Sequence, residues 1–148
     1  MATVVVDDHL LRDLLTGERP NDLGGIATSL ATTGLWLFRL SSSWAAPNTA
    51  GKLSAPISAL SVERQALFRA QLVALPIEIE VLPLRDLAWP MAEMQHRHRS
   101  EGRALSAAMV EALAAAHMIG GEIAVSRDDV GPNLQASAKA DGIAFHIL

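Results

Sequence analysis

Two short apolar runs in this chain each end on a pair of aspartates. They are Val4-Val5-Val6-Asp7-Asp8 and Ile123-Ala124-Val125-Ser126-Arg127-Asp128-Asp129. Nearly continuous β-branched runs of this kind read as strands buried on both faces, the situation of a parallel sheet. Each run is followed by a helical pattern, so the acids fall at the carboxyl ends of strands, where open α/β sheets place their ligand sites. Carboxylates gathered at one place repel one another, and such a cluster persists when a cation or a basic partner neutralises it.

The rest of the chain is punctuated into alternating elements. A strand is expected over 3–6, then a helix carrying Leu10, Leu11, Leu14 and Leu15, with an exit at Thr16-Gly17 and Pro20 beyond. Residues 26–31 read as strand or loop, and a second helix holds Leu35, Trp36, Leu37, Phe38 and Leu40. Residues 41–58, with three serines, Pro47, Gly51 and Pro56, read as loop or short helical turns. Ser61 caps a helix through residue 74 whose Val62, Leu67, Ala70 and Val73 are spaced for a buried stripe. Residues 77–82 alternate apolar and acidic, as a strand with one wet face would. Asp86 is placed to cap a helix through about residue 99, with Pro90 in its first turn. An alanine-rich helix over 104–119, closed by Gly120-Gly121, leads to a strand over 122–125, a helix over 132–140 and a last strand over 143–147. This alternation predicts a three-layer α/β/α sandwich with a central, mostly parallel sheet, formed as one domain spanning residues 1–148.

At 148 residues, with 50% hydrophobic and 19% charged, the chain has the composition of a globular domain rather than a disordered one. No apolar stretch reaches the roughly 18–20 residues that cross a bilayer. With no basic segment ahead of Val4, a cytoplasmic location is expected. The absence of cysteine removes disulfides, zinc-thiolate sites and thiol nucleophiles together. A net charge of −4 argues against a surface that coats nucleic acid broadly, though not against a local basic strip. The strip on offer, Gln95-His96-Arg97-His98-Arg99 with Arg103, could contact RNA phosphates, but cations placed favourably at a helix C-terminus are the preferred explanation. His96 and His98, two apart, do not share a helix face and so do not form a two-histidine metal site. Trp36, Trp44 and Trp89 are too dispersed for a base-stacking platform and are expected in packing. His117 and His146, in apolar contexts, are expected buried or at an interface. There is neither a nucleophile-elbow serine nor a glycine-rich phosphate loop.

Phosphodiester hydrolysis at neutral pH needs an activated water and shielding of phosphate charge, and hard divalent cations held by carboxylates supply both. Asp7 and Asp128, with Asp8 and Asp129 beside them, carry suitable oxygens. Glu111 interrupts an otherwise apolar helical stretch, so its carboxylate faces solvent or other polar groups. Asp7 and Asp8 are also good helix caps, and Asp128 and Asp129 good turn formers before Gly131-Pro132.

With these residues in view, the chain resembles the PIN-domain family, metal-dependent ribonucleases that include the toxins of many bacterial toxin–antitoxin pairs. Val5-Val6-Asp7-Asp8-His9-Leu10-Leu11 looks like the family's first strand and acid. Glu111-Ala112-Leu113-Ala114-Ala115-Ala116 looks like its late-helix element, with Glu for Asp. Ser126-Arg127-Asp128 looks like its "(T/S)-x-D" turn, and Gly142-Ile143-Ala144-Phe145 like its closing strand. The resemblance implies a ribonuclease in which Asp7, Glu111 and Asp128 hold Mg²⁺ or Mn²⁺ with help from Asp129. His9 and Arg39 would lie near substrate. It also implies a homodimer, RNA as substrate and an antitoxin protein as partner. One position departs from the pattern. The helix after Thr32-Thr33 should carry a second acid, yet Gly34-Leu35-Trp36-Leu37-Phe38-Arg39-Leu40 has no carboxylate and places Arg39 there. An arginine at that place weakens metal binding, which leaves open a catalytically degenerate PIN-like protein that binds RNA or a protein without cleaving. A doubly wound α/β domain for a phosphorylated small molecule is the third reading.

Overall fold

Val4, Val5 and Val6 lie in the middle of a parallel sheet and are fully buried, because each face of their strand is covered by helices. The computed structural model describes residues 2–18, 20, 22–46 and 51–148. The described elements run β1 (Ala2–Val6), α1 (Asp8–Leu15), α2 (Leu23–Ile26), β2 (Ala27–Thr32), α3 (Gly34–Ala45), α4 (Ala55–Ser58), α5 (Val62–Val73), β3 (Ile79–Val81), α6 (Leu84–Ser100), α7 (Ala107–Ile119), β4 (Glu122–Val125), α8 (Pro132–Ala140) and β5 (Phe145–Ile147). A single 3₁₀ turn, Arg127–Asp129, follows β4. The described strands form one sheet in the order β3-β2-β1-β4-β5, and every neighbouring pair is parallel. The chain builds outward from β1 to β2 and β3, then returns to lay β4 on the other edge of β1. That reversal puts a topological switch point between β1 and β4. No described helix is long and apolar enough to cross a membrane.

Strand alternation divides the core into two layers. Val5, Ile123 and Val125 join α6, α7 and α8 on one face, while Val4, Val6 and Ala124 join α1, α4 and α5 on the other. Helix α3 reaches both layers, with Trp36 in the first and Leu40 in the second. The run Ala112–Ala116 is wholly buried. Its small side chains let α7 press close to the sheet. The helix then closes on Gly120 in the left-handed conformation (φ 60°), and Gly121 N–H donates to the Ala116 carbonyl (2.8 Å). A β-carbon at Gly121 would stand 2.5 Å from the Thr3 carbonyl oxygen, so only glycine fits between α7 and β1.

Several local expectations change in the structure. On α5 the buried residues are Phe68 and Leu72, whereas Val62 and Val73 are 80% and 79% exposed and Leu67 also faces out. A short helix with apolar residues on two sides offers two candidate stripes. The larger Phe68 takes the core and packs on Trp44. The third strand begins only at Ile79, because Ile79 N–H is turned onto the Pro76 carbonyl and Ile77 is left in solvent. Likewise β5 starts at Phe145, since Ile143 N–H closes the end of α8 on Ala138. Helix α6 starts a turn early, with Pro83 at its N-cap. Asp86 thus sits in the first turn without capping, and Pro90 lies inside the helix. Residues 41–45 extend α3, with Ala46 as its C-cap, and α4 supplies one of the short helical turns; Pro47 and Asn48 lie outside the described residues. His117 is exposed rather than buried, and His146 pairs with Glu122 (2.6 Å).

The basic strip of α6 is largely neutralised within the protein. Arg97 makes a two-pronged contact with Asp141 (2.7 and 3.1 Å). Fully buried His98 donates from Nε2 to the same carboxylate (2.9 Å) and accepts from Arg103 at Nδ1 (3.0 Å). Burial alone would raise the Asp141 carboxyl, but hydrogen bonds from Arg97 and His98 outweigh it and hold the group below its usual range. A carboxyl depressed on folding stabilises above its unfolded value near 3.8 and loses that contribution as pH falls through the folded value. Asp141→Ala, which strands His98 and Arg97, is expected to lower stability by about 2–3 kcal/mol at pH 7. The difference from wild type should shrink in urea melts repeated toward pH 3.

Candidate functional site

Asp7 is the N-cap of α1. Its Oδ1 accepts from Leu10 N–H (2.8 Å), and its Oδ2 accepts from Ser126 N–H (2.9 Å) at the end of β4. One buried carboxylate therefore ties the two strand ends together at the switch point. Burial pushes the carboxyl up to about 6; the two backbone donors oppose that shift and the neighbouring Asp8 charge adds to it.

Asp8, the first residue of α1, is fully buried. Its Oδ1 accepts from His9 Nδ1–H (2.9 Å). Its Oδ2 lies 3.2 Å from Arg39 Nε, without hydrogen-bond alignment. Asp8 Oδ2 and His9 Nε2 are both buried with no hydrogen-bond partner among the described residues. Burial works against a charged His9, but the hydrogen bond and charge of Asp8, with Asp7 adding, raise its affinity for a proton. Arg39 comes from the second turn of α3 and spans the site. Besides Asp8 it reaches Asp129, with Nη2 donating to Oδ2 (3.3 Å).

Asp7, Trp36, Arg39, Ser106, Met109 and Asp129 line a cavity of about 170 Å³, completed by Val125, Gly131 and Leu134. The fold thus brings Asp7, Arg39 and Asp129 to one cavity, with Asp8 and His9 packed behind it. Asp128, one residue earlier on the 3₁₀ turn, is exposed, and its N–H donates to Ser126 Oγ (3.2 Å). Glu111 is 1% exposed, and its carboxylate is engaged elsewhere: Oε1 accepts from Gly34 N–H (3.1 Å) and Oε2 from Leu35 N–H (2.9 Å). This is an anion seated on the N-terminus of α3, where the helix dipole favours it. The sequence singles out Asp7, Asp8, His9, Arg39, Glu111 and the Asp128-Asp129 pair. It did not single out Ser106 or Met109 as part of the cavity, since nothing local distinguishes a cap serine that lines a cleft from one that does not.

The donor set suits a hard or borderline divalent cation. Asp7, Asp8 and His9 each offer one ligand atom, all within 4.8 Å of one another, and two buried acceptors there lack a donor.

No family model matches the chain, and no curated protein matches it. Solved structures do, FitAB and FitAcB among them. FitAB bound to an IR36 DNA fragment matches over 97% of this chain and 94% of its own, with a TM-score of 0.60 and 13% identity. FitAcB from Neisseria gonorrhoeae matches over 97% of this chain and 96% of its own, again at 0.60 and 13%. At that identity the likeness concerns the fold. The architecture is PIN-like, as the motifs of the sequence led one to expect.

Proposed function

We propose that this chain is a divalent-cation-dependent ribonuclease of PIN type, acting at the cavity between β1 and β4. The observation that carries the reading is the hydrogen bond from Ser126 N–H to Asp7, which gathers the acids of two strand ends around one opening. Asp7, Asp8 and His9 would hold Mg²⁺ or Mn²⁺, with Asp129 at the rim and Asp128 just outside it. When bound, such a cation shields phosphate charge and acidifies water, which phosphodiester hydrolysis at neutral pH requires. Asp7 is pre-positioned by its two backbone donors, so it loses no side-chain freedom on taking up a ligand. Trp36 and Met109 form an apolar wall that limits competing water. Arg39, half-exposed at the mouth, is placed to meet a phosphate of the RNA. Glu111 acts as a positioning residue: it fixes the start of the helix that carries Arg39.

We extend the proposal to a toxin with an antitoxin partner on the strength of the FitAB and FitAcB likeness, and the exposed Val62–Val73 face of α5 supports a homodimer. The deciding measurement is incubation of the purified chain with single-stranded RNA in Mn²⁺ or in EDTA. Fragments in Mn²⁺ and none in EDTA are expected. RNA that is retained intact on a gel in both buffers would instead assign the silent, binding-only form.

A further inference from the structure

We propose that Arg39 is a displaceable internal counter-ion, occupying the charge role at the acidic cluster until a divalent cation evicts it. The inference rests on the cation-binding reading of the same site.

Asp7, Asp8 and Asp129 bring like charges together at the switch point, two of them buried. Such a cluster needs a positive partner. Among the described residues Arg39 is the arginine that reaches it, 3.2 Å from Asp8 and 3.3 Å from Asp129.

Its hold is loose by the standards of this same molecule. Arg97 grips one carboxylate with two prongs, the shorter at 2.7 Å. Arg39 instead touches two different carboxylates once each, at longer range, and its contact with Asp8 lacks hydrogen-bond alignment. Its side chain is 46% exposed, so it can swing into solvent at little cost. An independent observation points to what would replace it. Buried His9 Nε2 has no hydrogen-bond partner among the described residues, and buried Asp8 Oδ2 has only its misaligned ion pair with Arg39. Buried acceptors left in this state are unusual and call for a ligand.

The guanidinium and a cation compete for the same carboxylate oxygen. A divalent ion bonded to Asp8 Oδ2 would lie within about 2.0–2.6 Å of that oxygen. Arg39 Nε stands 3.2 Å from the same atom. Two positive groups so close repel strongly in a partly buried setting. Cation uptake therefore releases Arg39 to the cavity mouth, where a planar guanidinium suits a phosphate. Cation and substrate binding become ordered: the metal first, then the RNA on the freed arginine.

Calorimetric titration with MnCl₂ alone tests this on the wild type, Arg39→Gln and Arg39→Lys, with thermal melts to confirm folding. Arg39→Gln is expected to bind Mn²⁺ on the order of tenfold more tightly than wild type. Arg39→Lys, which keeps the charge, should stay within about threefold of wild type. Adding Asp8→Asn to Arg39→Gln should cancel the gain. Equal or weaker binding by Arg39→Gln overturns the counter-ion role while leaving the cation site standing. Absence of Mn²⁺ binding by both wild type and Arg39→Gln at millimolar concentration overturns the cation site, and the counter-ion role with it.

Discussion

Asp7→Asn is expected to reduce cation-dependent RNA cleavage by a factor of at least about 100 while leaving the protein folded. The variant keeps the shape of the side chain but replaces one oxygen by an amide that can only donate. Both oxygens of Asp7 accept from backbone N–H groups, of Leu10 and of Ser126. The amide must turn a donor toward one of them, so α1 loses its cap or β1 loses its tie to β4, at about 1–2 kcal/mol. Against this, the variant no longer buries a carboxylate. The wild-type carboxyl is raised on folding to about 6, so its favourable contribution is complete below the unfolded value of 3.8 and is lost as pH rises through 6. In cation-free buffer the wild type should lose on the order of 2–3 kcal/mol from this group between pH 4 and pH 7, and Asp7→Asn should lack that decline. Cleavage assays and melts across that range read both effects. Wild-type activity in the variant would remove Asp7 from the chemistry.

Glu111→Ala carries the largest expected effect on stability, a loss of about 3–4 kcal/mol. An α-helix begins with N–H groups that have no partner inside it. In α3 they are accounted for one by one. Gly34 and Leu35 donate to Glu111, Trp36 donates to Thr33 Oγ1 (3.1 Å), and Leu37 begins the internal ladder on the Thr33 carbonyl (3.0 Å). Alanine removes two acceptors at once and leaves a void at a position that is 1% exposed. Glu111→Gln retains one acceptor and should lose about half as much. The measurement is urea unfolding in EDTA, with no cation present. A residue that served only as a metal ligand would not weaken the cation-free protein, so an undiminished midpoint for Glu111→Ala would overturn the structural role.

How far the sequence leads depends on whether the deciding contact is local. The strand over 122–125 and the helix over 132–140 coincide with their expected bounds, because β-branched runs, Gly120-Gly121 and Pro132 act within a few residues. The convergence of Asp7 with the β4 turn was legible from two similar strand ends. Which of Asp128 and Asp129 enters the cavity was not, since the choice is made by the 3₁₀ turn between them. Glu111 announced itself as an acid among alanines, but its partners on α3 lie 77 and 76 positions away, beyond any local pattern. Arg39 stood out by its charge, and its position among the acids appeared only once α1, α3 and the β4 turn were assembled. The buried stripe of α5 differs from the one its spacing predicts because two apolar faces compete on one short helix and only tertiary packing chooses between them.

The bond between Asp7 and Ser126 joins residues 119 positions apart. In chain order β2 and β3 precede β4, so the flank of β1 opposite β2 has no strand partner until β4 has been made. The β4 side of the acidic pocket cannot form before that, and a chain ending ahead of β4 carries three of the five described strands and lacks Asp129 altogether.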